Sequence, residues 1–318
     1  MAKKITWFFY AVDYVLRKKI GIYGKKKKYS KLPELSISEA SDYIADGINS
    51  GKPFMAGRFG FFELAAMRMY EFGKKDKYEI VINNIYNCAG FFPNDISLGN
   101  RFNEVMVSAL KRTDMLALTT QLCENYFINR YMEDNAATVK SFDVYDVCRD
   151  ESNWTSALEG KKVLVVSPFT DSIISQYEKR ERLFSGRNVL PQMHLLTYKS
   201  LLTIGDIKDD RFNNWFEALD FMAEEIMKID FDVALLGCGA YGFALAARIK
   251  DSGRQAVHMG GALQLLFGIM GRRWDGSRFG GKEYMEPHIA RYYNEDWTYP
   301  IEERPKEADK VEYGPYWQ

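Results

Sequence analysis

Three glycines near residue 240 have a spacing that suits phosphate binding. Gly237, Gly239 and Gly242 lie in the stretch LLGCGAYG, which follows an apolar run and precedes a helix-forming segment. The spacing G-x-G-x-x-G lets the backbone approach an anion, and the following helix points its N-terminal N–H groups at it. The residues expected to contact such a ligand are Gly237, Gly239, Ala240, Tyr241 and Gly242. A close packing turn between strand and helix, without a ligand, is the alternative interpretation.

The segment after this loop argues against a dinucleotide. A dinucleotide site requires an acid about 20 residues further along, at the end of the next strand, where it holds a ribose hydroxyl. Here that strand end reads VHMGG (257–261) and carries no acid. We therefore expect no NAD cofactor, and a dehydrogenase or a methyltransferase is kept only as an alternative function. Gly260 and Gly261 add a second open strand end, so a nucleoside diphosphate is the expected ligand. His258 either donates a hydrogen bond to phosphate or is a buried structural histidine.

An arginine and a glutamate flank another glycine turn upstream. Arg58 and Glu63 lie in GRFGFFELAAM (57–67), between a predicted strand and a predicted helix. A guanidinium binds a diphosphate through paired hydrogen bonds. A carboxylate at a helix start ligates a metal ion or removes a proton from a hydroxyl group. An internal ion pair between the two side chains is the alternative interpretation.

Two further polar side chains follow predicted strands. Asn87 lies in NNIYNCAGFFPND (83–95), predicted as a loop, where it is expected to bind sugar hydroxyls; a capped surface turn is the alternative. Ser167 ends the strand KKVLVVS (161–167) and is expected to meet a phosphate or a uridine. Capping of the next helix is the other interpretation of Ser167.

The elements that position these residues alternate along the chain. Short apolar strands are predicted around residues 53–59, 79–82, 114–119, 161–167, 193–198, 231–237 and 255–261, with helical periodicity between most of them. This alternation predicts an α/β protein with a Rossmann-like, doubly wound, mainly parallel sheet. Because ligands bind at the carboxyl ends of the strands in such sheets, the motifs above are expected to meet there.

Composition narrows the class of protein. The chain has 318 residues, 47 % hydrophobic and 27 % charged, which suits a folded protein with a sizeable core. The four cysteines have no paired metal spacing, and the three histidines are too few for a histidine metal cage. Nothing at the start resembles a cleavable signal peptide, so a cytoplasmic location is expected. The formal net charge is zero, and no nucleic-acid partner is expected.

Residues 5–31 combine an apolar helical stripe with a basic run. The stripe consists of Ile5, Phe8, Phe9, Val12, Val15 and Leu16, and it is flanked by Trp7, Tyr10 and Tyr14. From Arg17 to Lys31 there are eight basic residues and no acid. This pattern suits the surface of an anionic membrane, such as the inner face of the plasma membrane, but is too short to span it. A helix docked on the protein's own core, followed by a solvated loop, is the alternative.

The chain is expected to have three parts. Residues 1–31 form the basic amphipathic arm and residues 32–270 the catalytic domain. Residues 271–318 form an aromatic tail, poor in helix signals, that wraps the core or closes over a site.

Two segments resemble the GT-D-type glycosyltransferases, a domain family first described as being of unknown function. Arg58, Phe59, Gly60 and Glu63 match that family's Arg-Phe-Gly-Asp-Gly-Glu motif, and SGRQAVHMGG (252–261) is similar to a second motif near its end. The resemblance implies transfer of a sugar from a nucleoside diphosphate donor, such as a UDP-sugar, to a surface-polysaccharide or lipid-linked acceptor. It implies that Glu63 acts as base or as a metal ligand and that Arg58 stabilises the departing diphosphate.

One departure from the family motif bears on the metal. The Asp-x-Glu triplet, taken as the family's site for Mn²⁺ or Mg²⁺, reads Phe61-Phe62-Glu63 here. A hard divalent cation requires several oxygen ligands, so metal dependence is in question. The lost aspartate also keeps open a non-catalytic role in polysaccharide assembly.

Overall fold

The computed structural model describes residues 2–16, 28–277, 284–311, 314 and 316–318. The predicted basic run lies largely outside these residues, since only Lys28 and Lys31 of it are described. Within the described chain, no helix combines the length and the apolar character needed to cross a membrane.

Within the described residues, eight strands form one sheet in which every neighbouring pair is parallel. They are β1 (Glu34–Leu35), β2 (Phe54–Arg58), β3 (Met115–Ala117), β4 (Ala137–Val139), β5 (Lys162–Ser167), β6 (His194–Lys199), β7 (Val233–Leu236) and β8 (Gln255–His258). Their order across the sheet is β1-β4-β3-β2-β8-β7-β5-β6. The chain leaves β5 toward one edge of the sheet and β7 toward the other, which is the doubly wound pattern expected from the sequence.

Twelve α-helices connect and cover the strands within the described residues. They are α1 (Ala2–Val15), α2 (Ile37–Asn49), α3 (Phe61–Glu71), α4 (Tyr78–Ala89), α5 (Gly99–Leu110), α6 (Glu124–Tyr131), α7 (Thr170–Tyr177), α8 (Arg180–Leu183), α9 (Trp215–Met227), α10 (Tyr241–Asp251), α11 (Ala262–Leu266) and α12 (Pro287–Ala290). A capping box begins α2: the Glu39 N–H donates to Ser36 Oγ, and the Ser36 N–H donates to the Glu39 carboxylate.

The sheet separates two hydrophobic cores. Alternate residues of each strand point to opposite faces, so Leu164 and Val166 of β5 join one core while Val163 and Val165 join the other. Helices α3, α4, α5, α9 and α10 cover the first face, and α2 and α7 cover the second. Because both faces are covered, the central strands are apolar throughout, which made them recognisable in the sequence.

The predicted strand at 79–82 and the predicted loop after it are wrong. Both belong largely to α4, which buries Val81, Ile82, Ile85 and Ala89 on one face and ends at Gly90 with a φ of +85°. A four-residue apolar run does not by itself distinguish a strand from a buried helical turn. The i, i+4 and i+8 spacing from Val81 is the helical signal.

The C-terminal segment packs against the second core. Ile289, Tyr292, Trp297 and Trp317 are buried there, and Trp297 Nε1 donates to the Leu183 carbonyl at 2.9 Å. The predicted division at residues 31 and 270 stays a prediction.

Candidate functional site

A cleft lies at the carboxyl ends of four adjacent strands. Arg58 ends β2, His258 ends β8, Gly237 follows β7 and Ser167 ends β5, and all four residues line the cleft. The space in the cleft that the centres of water molecules can occupy is about 150 Å³. That is room for several water molecules, which is more than a single ion occupies.

Arg58 is a partly buried cation held against an aromatic ring. Its guanidinium carbon lies 3.9 Å from the centre of the Phe142 ring, and its Nε donates to the Phe59 carbonyl at 3.3 Å. Burial lowers the pKa of Arg58, while the nearby Glu63 carboxylate acts in the opposite direction. A guanidinium remains charged under such a shift, so Arg58 presents a fixed positive charge to the cleft.

Glu63 is a buried carboxylate in the first turn of α3. Its side chain folds back over Gly60, and a methyl group at Gly60 would overlap the carboxylate. The glycine of the GRFG motif is therefore the residue that leaves room for this acid. Arg58 and Glu63 both line the cleft, and the attraction between them influences the pKa of Arg58.

The glycine loop packs closely against the end of α4. Gly239 has a φ of +57°, and the Ala240 N–H donates to the Ala89 carbonyl at 3.0 Å. In the described part of the chain, no carbonyl accepts from the N–H groups of Cys238 or Gly239, both of which line the cleft. These two amides are the parts of the loop best suited to an anionic ligand.

Three of the predicted binding residues lie outside the cleft lining. Ala240 is buried and its N–H is occupied, while the Gly242 Cα faces the His258 ring. The amide nitrogen of Asn87 donates to the carbonyl and to the side-chain oxygen of Asn83, one turn earlier in α4. Gly237, Gly239, Tyr241, Gly260 and Gly261 do line the cleft.

His258 is a neutral side chain rather than a phosphate-binding cation. Burial, with a further contribution from the positive charge of Arg58, lowers the pKa of His258 to about 3. Its Nδ1 is buried without a hydrogen-bond partner among the described residues. At neutral pH the imidazole therefore adds no charge to the cleft.

Ser167 and the start of α7 are engaged by the protein itself. Ser167 Oγ accepts from the Phe169 N–H at 3.2 Å. The Glu302 carboxylate accepts from the N–H groups of Asp171 and Ser172 at 2.9 and 3.0 Å, and the Ser172 hydroxyl also donates to it. An acid from the C-terminal segment thus caps α7 and fills the position that an anion would take at this helix start.

The C-terminal segment supplies site residues that sequence reasoning did not single out. Arg273, Tyr316 and Trp317 line the cleft, and the Arg273 guanidinium carbon lies 4.9 Å from the centre of the Tyr316 ring. Repulsion from Arg273 contributes to the lowered pKa of Arg58, so the two cations face one region. The aromatic composition of this segment was the only sequence signal, and it did not identify the arginine.

The described residues do not fit a divalent cation. They contain no group of three or more His, Cys, Asp or Glu side chains able to hold a metal ion. Among the described lining residues, Glu63 is the only acid, and Arg58 lies beside it. Phe61, which stands where the family has an aspartate, is half exposed at the cleft. Two arginines and one glutamate suit an anionic ligand.

These features define an α/β protein with a basic cleft at the carboxyl ends of its central parallel strands. No family model and no curated protein matches the chain. It is similar to a solved structure described as a new glycosyltransferase from Streptococcus sanguinis, at 12 % identity and a TM-score of 0.43, covering 88 % of this chain and 97 % of that one. It is also similar to a structure described as domain of unknown function 1792 with a distinct glycosyltransferase fold, at 15 % identity and a TM-score of 0.40, covering 89 % and 95 %.

Proposed function

We propose that the protein is a glycosyltransferase that uses a nucleoside diphosphate sugar. The observation that carries the proposal is the meeting of Arg58, Glu63 and the glycine loop in one cleft. Two cations and free loop amides suit a diphosphate, and a single buried carboxylate suits a base. The match of Arg58, Phe59, Gly60 and Glu63 to the GT-D motif supports the same function.

In the proposed reaction, an acceptor hydroxyl attacks the anomeric carbon of the donor sugar. A carbon–oxygen bond forms to the acceptor, the bond from the anomeric carbon to the diphosphate breaks, and the acceptor proton passes to Glu63. The leaving nucleoside diphosphate carries the bonding electron pair. Its negative charge is met by Arg58, Arg273 and the N–H groups of Cys238 and Gly239, because fixed donors stabilise charge that develops in the transition state.

The finer parts of the proposal concern substrate and place. We propose a UDP-sugar donor and an acceptor that is a bacterial surface polysaccharide or a lipid-linked saccharide, with the protein on the inner face of the plasma membrane. Residues 5–31 support a location near such an acceptor, since an aromatic helix followed by basic residues suits an anionic surface.

The decisive experiment combines ligand binding with transfer. We expect UDP-sugars to raise the melting temperature with or without Mn²⁺, because the cleft neutralises the diphosphate with arginines. Glu63→Gln should retain nucleotide binding but lose transfer by at least about 100-fold, as expected when a general base is removed. The matched control is Glu79→Gln, which removes an exposed carboxylate from the first turn of α4.

Several outcomes would contradict the proposal. Stabilisation by NAD or by S-adenosylmethionine, with no response to any nucleotide sugar, would favour the dehydrogenase or methyltransferase alternative. Unchanged glycan in cells carrying Glu63→Gln would favour a non-catalytic role in polysaccharide assembly.

A further inference from the structure

The N-terminal helix α1 has two different apolar faces. Trp7 and Tyr10 point toward the protein: the Trp7 ring lies 5.3 Å from that of Phe72, and the Tyr10 ring lies 5.4 Å from that of Tyr126. Asn125 Nδ2 also donates to the Asp13 carboxylate at 3.4 Å. Helix α1 is therefore attached to the protein through Trp7 and Tyr10, which flank the predicted apolar stripe, rather than through the stripe.

The stripe points away from the protein. Five of its six members are exposed, with Phe8 and Phe9 at 63 % and 65 % and Ile5, Val12 and Val15 between 40 % and 52 %, while Leu16 is half-buried. Five large apolar side chains at helical spacing form a continuous apolar surface, which soluble proteins rarely leave uncovered. We call these five residues the outer face of α1.

Positive charge lies beside α1. Lys74 Nζ lies 4.8 Å from the centre of the Trp7 ring, so the turn formed by residues 74–77 adjoins the helix. This turn carries three lysines and one acid, Asp76, whose carboxylate lies 3.7 Å from Lys77 Nζ, so its net charge is positive. In sequence, α1 is followed by the eight basic residues between Arg17 and Lys31, without an acid. An exposed apolar helix face with basic residues nearby complements an anionic lipid bilayer, whose headgroups are negatively charged and whose interior is apolar.

We propose that the outer face of α1 inserts into the headgroup region of an anionic lipid membrane. A second copy of the chain would bring the same lysines close together, and their repulsion would oppose association. Anionic headgroups would instead neutralise them while the two phenylalanines enter the acyl boundary. This proposal concerns attachment and does not depend on the sugar-transfer activity.

The proposal also orients the protein. Trp7 contacts Phe72 just after the end of α3, while Tyr14 lies near enough to Arg68, one turn earlier, to influence its pKa. Helix α1 therefore runs antiparallel to α3, with its C-terminal end toward the end of α3 that carries Glu63. Attachment along α1 would therefore place the cleft toward the C-terminal end of the attached helix.

The test is sedimentation of the full chain with lipid vesicles. We expect binding to vesicles that contain phosphatidylglycerol, little binding to phosphatidylcholine alone, and weaker binding at high salt. The double variant Phe8→Ser, Phe9→Ser should bind anionic vesicles at least about tenfold less tightly, because the apolar insertion is lost. The matched control is Ile174→Ser, Ile301→Ser, which removes two exposed apolar side chains away from the turn beside α1.

The melting temperature and elution volume of each variant complete the test. Since Phe8 and Phe9 are exposed, the double variant should melt at the temperature of the parent protein, so a loss of binding reflects the surface and not unfolding. Equal vesicle binding by parent and double variant would overturn the proposal. A parent that elutes as a dimer, a double variant that elutes as a monomer and no vesicle binding would assign the outer face to a second copy instead.

Discussion

His258 lines the cleft and also makes the free energy of unfolding depend on pH. It ends β8, with its ring against the start of α10, and burial lowers its pKa from 6.5 to about 3. The unfolded chain therefore binds a proton below pH 6.5 that the folded protein does not accept until about pH 3. Stability is full above pH 6.5 and is lost progressively as the pH falls toward 3.

We expect the variant His258→Gln to lose less stability in acid than the parent protein. The parent should lose up to about 1.4 kcal/mol of unfolding free energy per pH unit between the two pKa values from this residue. Urea unfolding at about pH 6.5 and about pH 4 measures the difference. The control His194→Gln, at an exposed position, should keep the slope of the parent. An unchanged slope in His258→Gln would contradict the buried neutral imidazole.

At the scale of elements, the glycine loop depends on a helix that the sequence analysis did not recognise. Gly239 has a left-handed φ, and a Cβ there would lie 2.9 Å from the Ala89 carbonyl oxygen at the end of α4. The same carbonyl accepts from the Ala240 N–H. The G-x-G-x-x-G spacing thus serves two purposes: it leaves the Cys238 and Gly239 amides open, and it lets α4 pack against the loop.

Comparison of two alanine variants separates these purposes. Gly160 has a similar φ of +71° with nothing within 4 Å of an added Cβ, so Gly160→Ala should cost about 1 kcal/mol for backbone strain alone. Gly239→Ala should cost at least about 1 kcal/mol more, because the added methyl collides with backbone. Unfolding free energies from urea titration provide the comparison. Equal losses for the two variants would show that the loop does not pack against α4 as described.

At the scale of the whole molecule, the C-terminal segment is part of the site. It is joined to the rest by the Glu302 cap on α7, by an ion pair between Arg182 and Asp296 at 2.9 Å and by a 2.7 Å contact between His288 and Asp146. Trp317 is buried against Phe169, with ring centres 5.2 Å apart, and it lines the cleft. The same residue, Trp317, therefore contributes both to the wall of the cleft and to the packing of the second core.

We expect Trp317→Ala to weaken both stability and nucleotide-sugar binding. Removing a buried tryptophan leaves a cavity and should cost about 3 kcal/mol of unfolding free energy. Because Trp317 also lines the cleft, the dissociation constant for the nucleotide sugar should rise. Chemical unfolding and calorimetric titration measure the two effects, with Tyr284→Ala at an exposed position as control. A loss of stability with unchanged ligand binding would limit the segment to a structural role.

Local sequence determined most of the architecture. Three features depend on patterns that span only about ten residues of sequence. They are the apolar strands buried on both faces, the capping box of Ser36 and Glu39, and the helical periodicity of α3, α9 and α10. The meeting of Arg58 with the glycine loop was also predictable, because parallel strands bring their carboxyl ends to one edge.

Tertiary structure decided what local patterns could not specify. The run at 79–82 became helical because its apolar residues face a core built by distant segments, and short runs leave this choice open. His258 is neutral because surrounding elements remove water from it, and Glu302 occupies a helix start 130 residues away in sequence. Arg273 joins Arg58 only because the C-terminal segment folds back over the sheet. The residue pattern of α1 predicted an amphipathic helix. Which of its sides faces the protein was decided by packing: Trp7 and Tyr10 contact the protein, while Phe8 and Phe9 are exposed.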